Sequence, residues 1–296
     1  MIIFFLMRFG LNTFMTSPGF SDSDLSLIET FKEYGADVIE LAIVDPAEVN
    51  VSMVKTALIE HGLERPVICG AFGKGRDLRG THAEVQASST YILELIHLAQ
   101  ELGAKVVCGP MYSETGRISA HTCEEREAQL EQIAQSLRPL CGAAEEAGVT
   151  LALEPLNRFE TDCINTLEQA TALIERVDHS ALKIHIDTFH MNIEEADSAA
   201  AIMKAGDHIG HVHASASHRG IPGEDQVRWA EIFHALKQIE YHGDMIIESF
   251  SPDNEVIAKA TCIWRDLYES PQQLAVQGLE FLKKEWAAQP ELTSAV

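Results

Sequence analysis

The sequence predicts an α/β protein, specifically a (β/α)8 TIM barrel, and three observations carry that expectation. Short apolar runs rich in β-branched residues alternate with helix-like segments, giving eight strand–helix units at a period of roughly 30–40 residues, as a barrel with some extended loops requires. Four consecutive runs place a ligand-type residue at the strand's C-terminal end: Glu154 in VTLALEP, Asp187 in LKIHIDT, His213 in IGHVHAS and Glu248 in DMIIES. That end is where such a barrel builds its active site. The competing open, doubly wound sheet normally shows a glycine-rich phosphate turn after its first strand, and GLNTFMTSPGF is not one.

The elements follow in order. The first strand is expected at 8–14, then a helix through SDLSLIETFKEYG, whose Ser/Asp-rich start and closing Gly35 act as caps. ADVIELAI is the second strand and PAEVNVSMVKTALIEHG the second helix, closed by Gly62. PVICGAF is the third strand, with an amphipathic helix from His82 to Gly103. KVVCGP is the fourth, with a helix from Cys123 to Gly148. The four ligand-bearing strands come next, with helices near 166–178, 196–205, 227–239 and 271–288. GKGRDLRG at 73–80 fits neither a P-loop nor a dinucleotide fingerprint and reads as a flexible loop after the third strand. The opening MIIFFLM lacks a preceding basic residue and a cleavage site, and is far too short to cross a bilayer. It reads as a leader to the first strand, with Met7 an alternative start, and the tail AAQPELTSAV reads as loose. Residues 1–296 are thus expected to form one barrel domain, the barrel itself spanning about 7–288.

Composition narrows the function. The 296 residues are 46% hydrophobic, enough for a large core, and 22 basic against 45 acidic residues give a net charge of −23. With no basic cluster, nucleic acid is excluded as a partner, and no segment suggests a membrane. Six cysteines without CxxC or paired spacing read as reduced thiols in a cytoplasmic protein.

Side chains in a strand alternate faces, so Ala152 shares a face with Glu154, His185 with Asp187, His211 with His213, and Ile246 with Glu248. Each candidate ligand is then the last inward-pointing residue of its strand, at the barrel mouth. A lone strand-end Glu or His is usually a capped or solvated side chain; four in succession are not readily explained so. Two Glu, one Asp and one His form a hard, oxygen-rich donor set suited to Mn2+, Co2+ or Mg2+ rather than to structural zinc.

LEPLNRFETDCINT, HIDTFHMNIEE, GHVHASASHRGIPGED and IIESF together resemble the ketose 3-epimerases (the D-tagatose, D-psicose and L-ribulose 3-epimerases) among the xylose-isomerase-like sugar isomerase/epimerase barrels. The resemblance implies that Glu154, Asp187, His213 and Glu248 bind a divalent ion, usually Mn2+ or Co2+. It implies too that Glu160, His190 and Arg219 hold the oxygens at C1 to C3 of the sugar. The chemistry is consistent: removing the C3 hydrogen beside the C2 carbonyl gives an enediolate, and inversion needs an acid/base on each face. Glu154 and Glu248 are the candidates for that catalytic pair. The blander readings are an Arg219 paired to Glu224 or Asp225, a His190 capping the next helix, and a solvated Glu160. His185 and His211 are expected behind the ligands, hydrogen-bonded rather than bound to metal.

The chain departs from the family where a tryptophan often follows the first strand; NTFMTSPGF has Phe14 and Met15, and GPMYSETGR offers Tyr112. The leading expectation is C3 epimerisation of free ketoses by a homo-oligomer, dimer or tetramer. The alternatives are an aldose–ketose or hydroxypyruvate isomerase on the same barrel and a sugar-binding protein with a dead site. A metal-dependent phosphodiesterase is disfavoured by the acidity.

Overall fold

In the computed structural model, which describes residues 7–119, 122–253 and 255–290, eight parallel strands close into a barrel in sequence order. The elements are β1 (Arg8–Asn12), α1 (Ser26–Glu33), β2 (Val38–Ile43), α2 (Val51–Glu60), β3 (Val67–Gly70), α3 (His82–Leu102), β4 (Val106–Gly109), α4 (Cys123–Ala147) and β5 (Thr150–Leu153). They continue as α5 (Leu167–Val177), β6 (Leu182–Asp187), α6 (Thr188–Glu194), α7 (Ser198–Ala205), β7 (Ile209–His213), α8 (Trp229–Gln238), β8 (Asp244–Ile247), α9 (Glu255–Thr261) and α10 (Pro271–Ala288). The predicted leader at 1–6 and the end of the predicted tail at 291–296 lie outside the described residues.

Local sequence explains most boundaries. Thr81 with Glu84, Thr122 with Glu125 and Thr166 with Gln169 form reciprocal capping boxes at the starts of α3, α4 and α5. Gly103 and Gly148 end α3 and α4 at φ +78° and +67°, a left-handed turn that costs other residues about 1 kcal/mol or more. The second predicted helix is broken. A 3-10 turn at Pro46–Glu48 precedes it, and α2 starts afresh because the Asn50 side chain accepts a hydrogen bond from the Met53 N–H at 3.2 Å. Two short helices, α6 and α9, were not expected. α6 forms because Asp187, the last residue of β6, is its N-cap: Oδ1 accepts from the Phe189 N–H at 2.6 Å.

The barrel closes between β1 and β8, where Arg8 forks onto both Asp244 oxygens at 2.8 and 2.6 Å. Gly10 allows the approach of β2; a Cβ there would sit 2.3 Å from the Val38 carbonyl oxygen. Alternation sorts the strand side chains. Ile39, Leu41 and Ile43 of β2 join the apolar layer under the helices, whereas Val38 and Ala42 join the barrel interior with Cys69, Cys108, Ala152 and Ile246. Each Leu or Ile so buried contributes roughly 1.5–3 kcal/mol.

The segment read as a flexible loop after β3 is pinned. Arg79 is buried, donates to Asp77, to Asp162 at 2.6 Å and to Ser113 at 2.8 Å, and so ties together the loops after β3, β4 and β5. A bridge between Arg117 and Thr161 reinforces the tie. Glu160 rides on this joined platform, its carbonyl accepting from the Gly116 N–H at 2.7 Å.

Candidate active site

The four strand-end residues converge. One ligand atom from each of Glu154, Asp187, His213 and Glu248 lies within 4.8 Å of the others, and all four residues are buried at the mouth of the barrel. Alternation puts them there, because each occupies the inward phase of its strand or the residue just after it. The two oxygens of Asp187 divide the work: Oδ1 caps α6, and Oδ2 faces the cluster.

His213 has its ring fixed edge-on. Nε2 lies 2.6 Å from Glu40 Oε1, while Nδ1 faces Glu248 Oε2 at 3.5 Å and Asp187 Oδ2 at 3.7 Å without a hydrogen-bond partner of its own. Burial pushes the imidazole down, but Glu40 and Glu248 carry it well above its usual value. Burial, with Glu248 and Asp187 as anionic neighbours, pushes the Glu154 carboxyl well up. Asp187 goes the other way: burial raises it, yet the Arg219 guanidinium and His213 hold it well below the usual carboxylate range.

Arg219 is not paired to Glu224 or Asp225. It turns inward, with Nη1 donating to Asp187 Oδ2 at 2.7 Å, to Glu248 Oε2 at 2.8 Å and to Ser215 Oγ at 2.8 Å. Its guanidinium stacks 4.2 Å from the Phe189 ring centroid and 5.0 Å from that of Phe250. His190 sits in α6, where the cap is Asp187. Its Nδ1 accepts from the Asn157 backbone N–H at 3.0 Å, so the proton of the neutral ring is on Nε2, facing Glu154 Oε1 at 3.6 Å and Arg219 Nη2 at 3.4 Å. Burial lowers this imidazole and keeps it neutral. Glu160 is half-buried at the rim, its Oε1 accepting from Asn157 Nδ2 at 2.7 Å, so Asn157 couples Glu160 to His190. Arg158 faces outward and pairs with Glu194.

Three comparisons place this geometry among known proteins. A profile described as the xylose isomerase-like TIM barrel matches residues 28–285. The L-ribulose 3-epimerase of Mesorhizobium japonicum is 35% identical over 282 residues, covering 94% of this chain and 93% of that protein. The chain belongs to the ketose 3-epimerases. Among solved structures, an L-ribulose 3-epimerase matches at a TM-score of 0.89 and 33% identity over 95% of both chains. A D-allulose 3-epimerase from Methylomonas sp., in complex with D-allulose, matches at 0.87 and 30% identity over 94% of this chain and 97% of that one. As a ketose 3-epimerase the chain is an isomerase-class enzyme acting on sugars. No helix among the described residues is long and apolar enough to cross a membrane.

The donor set of this epimerase suits a divalent cation. Three carboxylates offer hard oxygens, and His213 Nδ1, a buried nitrogen without a hydrogen-bond partner, is aimed between two of them. Several buried polar residues escaped sequence reasoning. Glu40, in mid-β2, accepts from His211 Nε2 at 2.7 Å as well as from His213, and Asn12 Nδ2 donates to it at 2.6 Å. Burial alone would raise the Glu40 carboxyl, but the two histidines take it well below its usual range. The available signal was a charge at an inward position of an otherwise apolar strand. His211 is hydrogen-bonded behind the strand-end cluster, as expected. His185 differs: neither ring nitrogen has a hydrogen-bond partner, and the ring packs edge-on against His213 with centroids 4.0 Å apart. Tyr112, considered for the pocket wall, is fully buried and donates to the Ile164 carbonyl at 2.9 Å.

Proposed function

We propose that this protein interconverts free ketoses of five and six carbons by inverting C3, with a divalent ion, Mn2+ or Co2+ and also Mg2+, held by Glu154, Asp187, His213 and Glu248. The observation that carries the reading is the facing pair of glutamates, brought with Asp187 and His213 within 4.8 Å at the barrel mouth. Bound there, the ion supplies Lewis-acid stabilisation of the charge that develops along C2–C3.

The residues supply the rest. One glutamate removes the C3 proton, the C–H electron pair passes into the C2–C3 enediolate, and the other glutamate returns a proton to the opposite face. Positioned acid/base help of this kind is worth roughly 10²–10⁴-fold. His190 presents its Nε2–H as a donor to a sugar oxygen, Arg219 presents the free part of its fork, and Glu160 accepts from a hydroxyl. Seen this way, the stack of Arg219 between Phe189 and Phe250 fixes the fork's direction.

A recess of about 1130 Å³ lies beside the mouth, walled in part by Phe14, Met15, Ile221 and Tyr268 and by Glu224 and Asp266, with no Lys or Arg in its lining. That supports neutral sugars over ketose phosphates. The whole chain serves as one barrel domain. Six free cysteines suit a reducing, cytoplasmic setting, and exposed Phe159 and Trp264 suit a homo-oligomer, dimer or tetramer.

The test is incubation of the purified protein with Mn2+ and a panel of ketoses in D2O, followed by separation of products. A C3 epimer carrying deuterium at C3 is expected. Formation of an aldose, with deuterium at C1 or C2, would replace the epimerase reading with the aldose–ketose isomerase one.

A further inference from the structure

Beneath the four strand-end residues lies a second polar layer, walled off from solvent, that the epimerisation chemistry does not use. Glu40, Asn12, His211 and His213 are all 0% exposed. Each oxygen of Glu40 has two donors. Oε1 takes Asn12 Nδ2 and His213 Nε2, both at 2.6 Å, and Oε2 takes His211 Nε2 at 2.7 Å and the Cys108 thiol at 3.4 Å. A buried carboxylate is costly unless hydrogen-bonded throughout, and this one is. Donors from β1, β4 and β7 converge on a residue of β2, so the carboxylate is held from across the whole interior.

The direction of these contacts matters. An imidazole that donates from Nε2 and carries a single ring proton leaves Nδ1 as a lone pair, and Nδ1 of His213 is the atom aimed between Asp187 and Glu248. The ring cannot turn to exchange its nitrogens, because His185 packs edge-on against it at 4.0 Å and His211 lies at 5.4 Å.

We propose that Glu40 is a positioning residue for cation binding: it anchors the Nε2–H of His213, so that Nδ1 is presented as the nitrogen ligand, and it raises the basicity of that ligand. The inference rests on the reading of Glu154, Asp187, His213 and Glu248 as the cation site. Glu40 itself is not a ligand, since its oxygens stand at hydrogen-bond distance from both imidazoles and the protons between them fill the space a cation would need. The same layer ties His211 to the site. One carboxylate satisfies two imidazole donors at once, which a single amide oxygen cannot do with the same reach.

The experiment measures equilibrium Mn2+ binding, by competition with a chelator, for the wild-type enzyme, E40Q and E40L, together with turnover at limiting and saturating Mn2+. Loss of such an orienting partner typically weakens metal affinity about 10–100-fold. E40Q is expected toward the lower end and E40L toward the upper. One ion is bound per chain in each case, and E40Q turnover returns toward the wild-type value when Mn2+ is in excess. The histidine 15N spectrum of the Mg2+-loaded wild type should show His213 protonated at Nε2. Should E40L not fold, E40Q decides alone. Wild-type Mn2+ affinity in E40Q would overturn the inference, as would a turnover loss that excess Mn2+ does not restore. A second bound ion in the wild type that E40Q lacks would make Glu40 a ligand and overturn it as well. A wild-type protein that binds no Mn2+ would remove the cation-site reading and this inference with it, and is distinguished from the other outcomes because it precedes any effect of substitution.

Discussion

Replacing Glu154 by glutamine should make the metal-free protein more stable while removing its activity. Glu154 is buried with the carboxylates of Glu248 and Asp187 inside a 4.8 Å cluster. Two unit charges at about 4.8 Å repel by roughly 3.5 kcal/mol at an effective dielectric of about 20. Arg219 and His213 offset part of this, yet burial and the two anions still win, since the Glu154 carboxyl is pushed well up. In the folded, metal-free protein that group keeps a proton it would lose when unfolded. Its contribution is therefore complete below the unfolded value of about 4.3 and is lost as pH rises through the raised folded value. A neutral amide has no such loss, so the gap between variant and wild type opens with rising pH. We expect E154Q to gain about 1–3 kcal/mol at pH 8, or about 2–6 °C in Tm, at the roughly 2 °C per kcal/mol of a protein this size. At pH 5 the gain should shrink toward zero. The assay is calorimetry of chelator-dialysed protein from pH 5 to 8, with turnover measured on the Mn2+-reconstituted variant, where a loss of about 10²-fold or more is expected. A variant that melts at or below the wild type at pH 8 would refute the reasoning, because it would mean Glu154 does not face its anionic neighbours.

Further outcomes follow from the same geometry. Exhaustive chelation should abolish turnover and Mn2+ or Co2+ should restore it, with a Tm increase on metal addition that grows from pH 6 to 8. Both His213 and Glu154, raised in the metal-free fold, must surrender protons to a cation; a pH-independent increase would contradict this. R79M strands Asp77 and Asp162 without their buried partner and should cost about 3–5 kcal/mol, read as a Tm drop of roughly 6–10 °C. A wild-type melt would show that the loops do not depend on the tie. For any ketose that turns over, kcat/KM should exceed that of its terminal phosphate, because the recess beside the mouth has carboxylates and no cation; a preference for the phosphate would point to an anion site elsewhere in the loops.

By itself the sequence determined the barrel and the strand-end quartet. Both are local periodic signals: strand parity repeats every two residues, so the last inward position of β5 to β8 can be counted from VTLALEP, LKIHIDT, IGHVHAS and DMIIES without knowing where the strands lie. The Ser/Asp-rich start of the first helix was legible for the same reason, since a cap is satisfied within three residues. Tertiary structure alone decided what spans the chain. The two histidine partners of Glu40 lie 171 and 173 residues away, and a buried charge is tolerable only once its partners are known. Arg79, in a glycine-rich stretch that reads as mobile, became an anchor because Asp162 reaches it from 83 residues on. Arg219 reads locally as a mate for Glu224 or Asp225, but closure of the barrel brings Asp187 and Glu248 within 2.8 Å of its Nη1 and stacks it on two phenylalanines. Periodicity fixes which face a side chain takes. Only the closed ring of eight strands fixes which charges meet, because the energy of a charge depends on neighbours in space rather than along the chain.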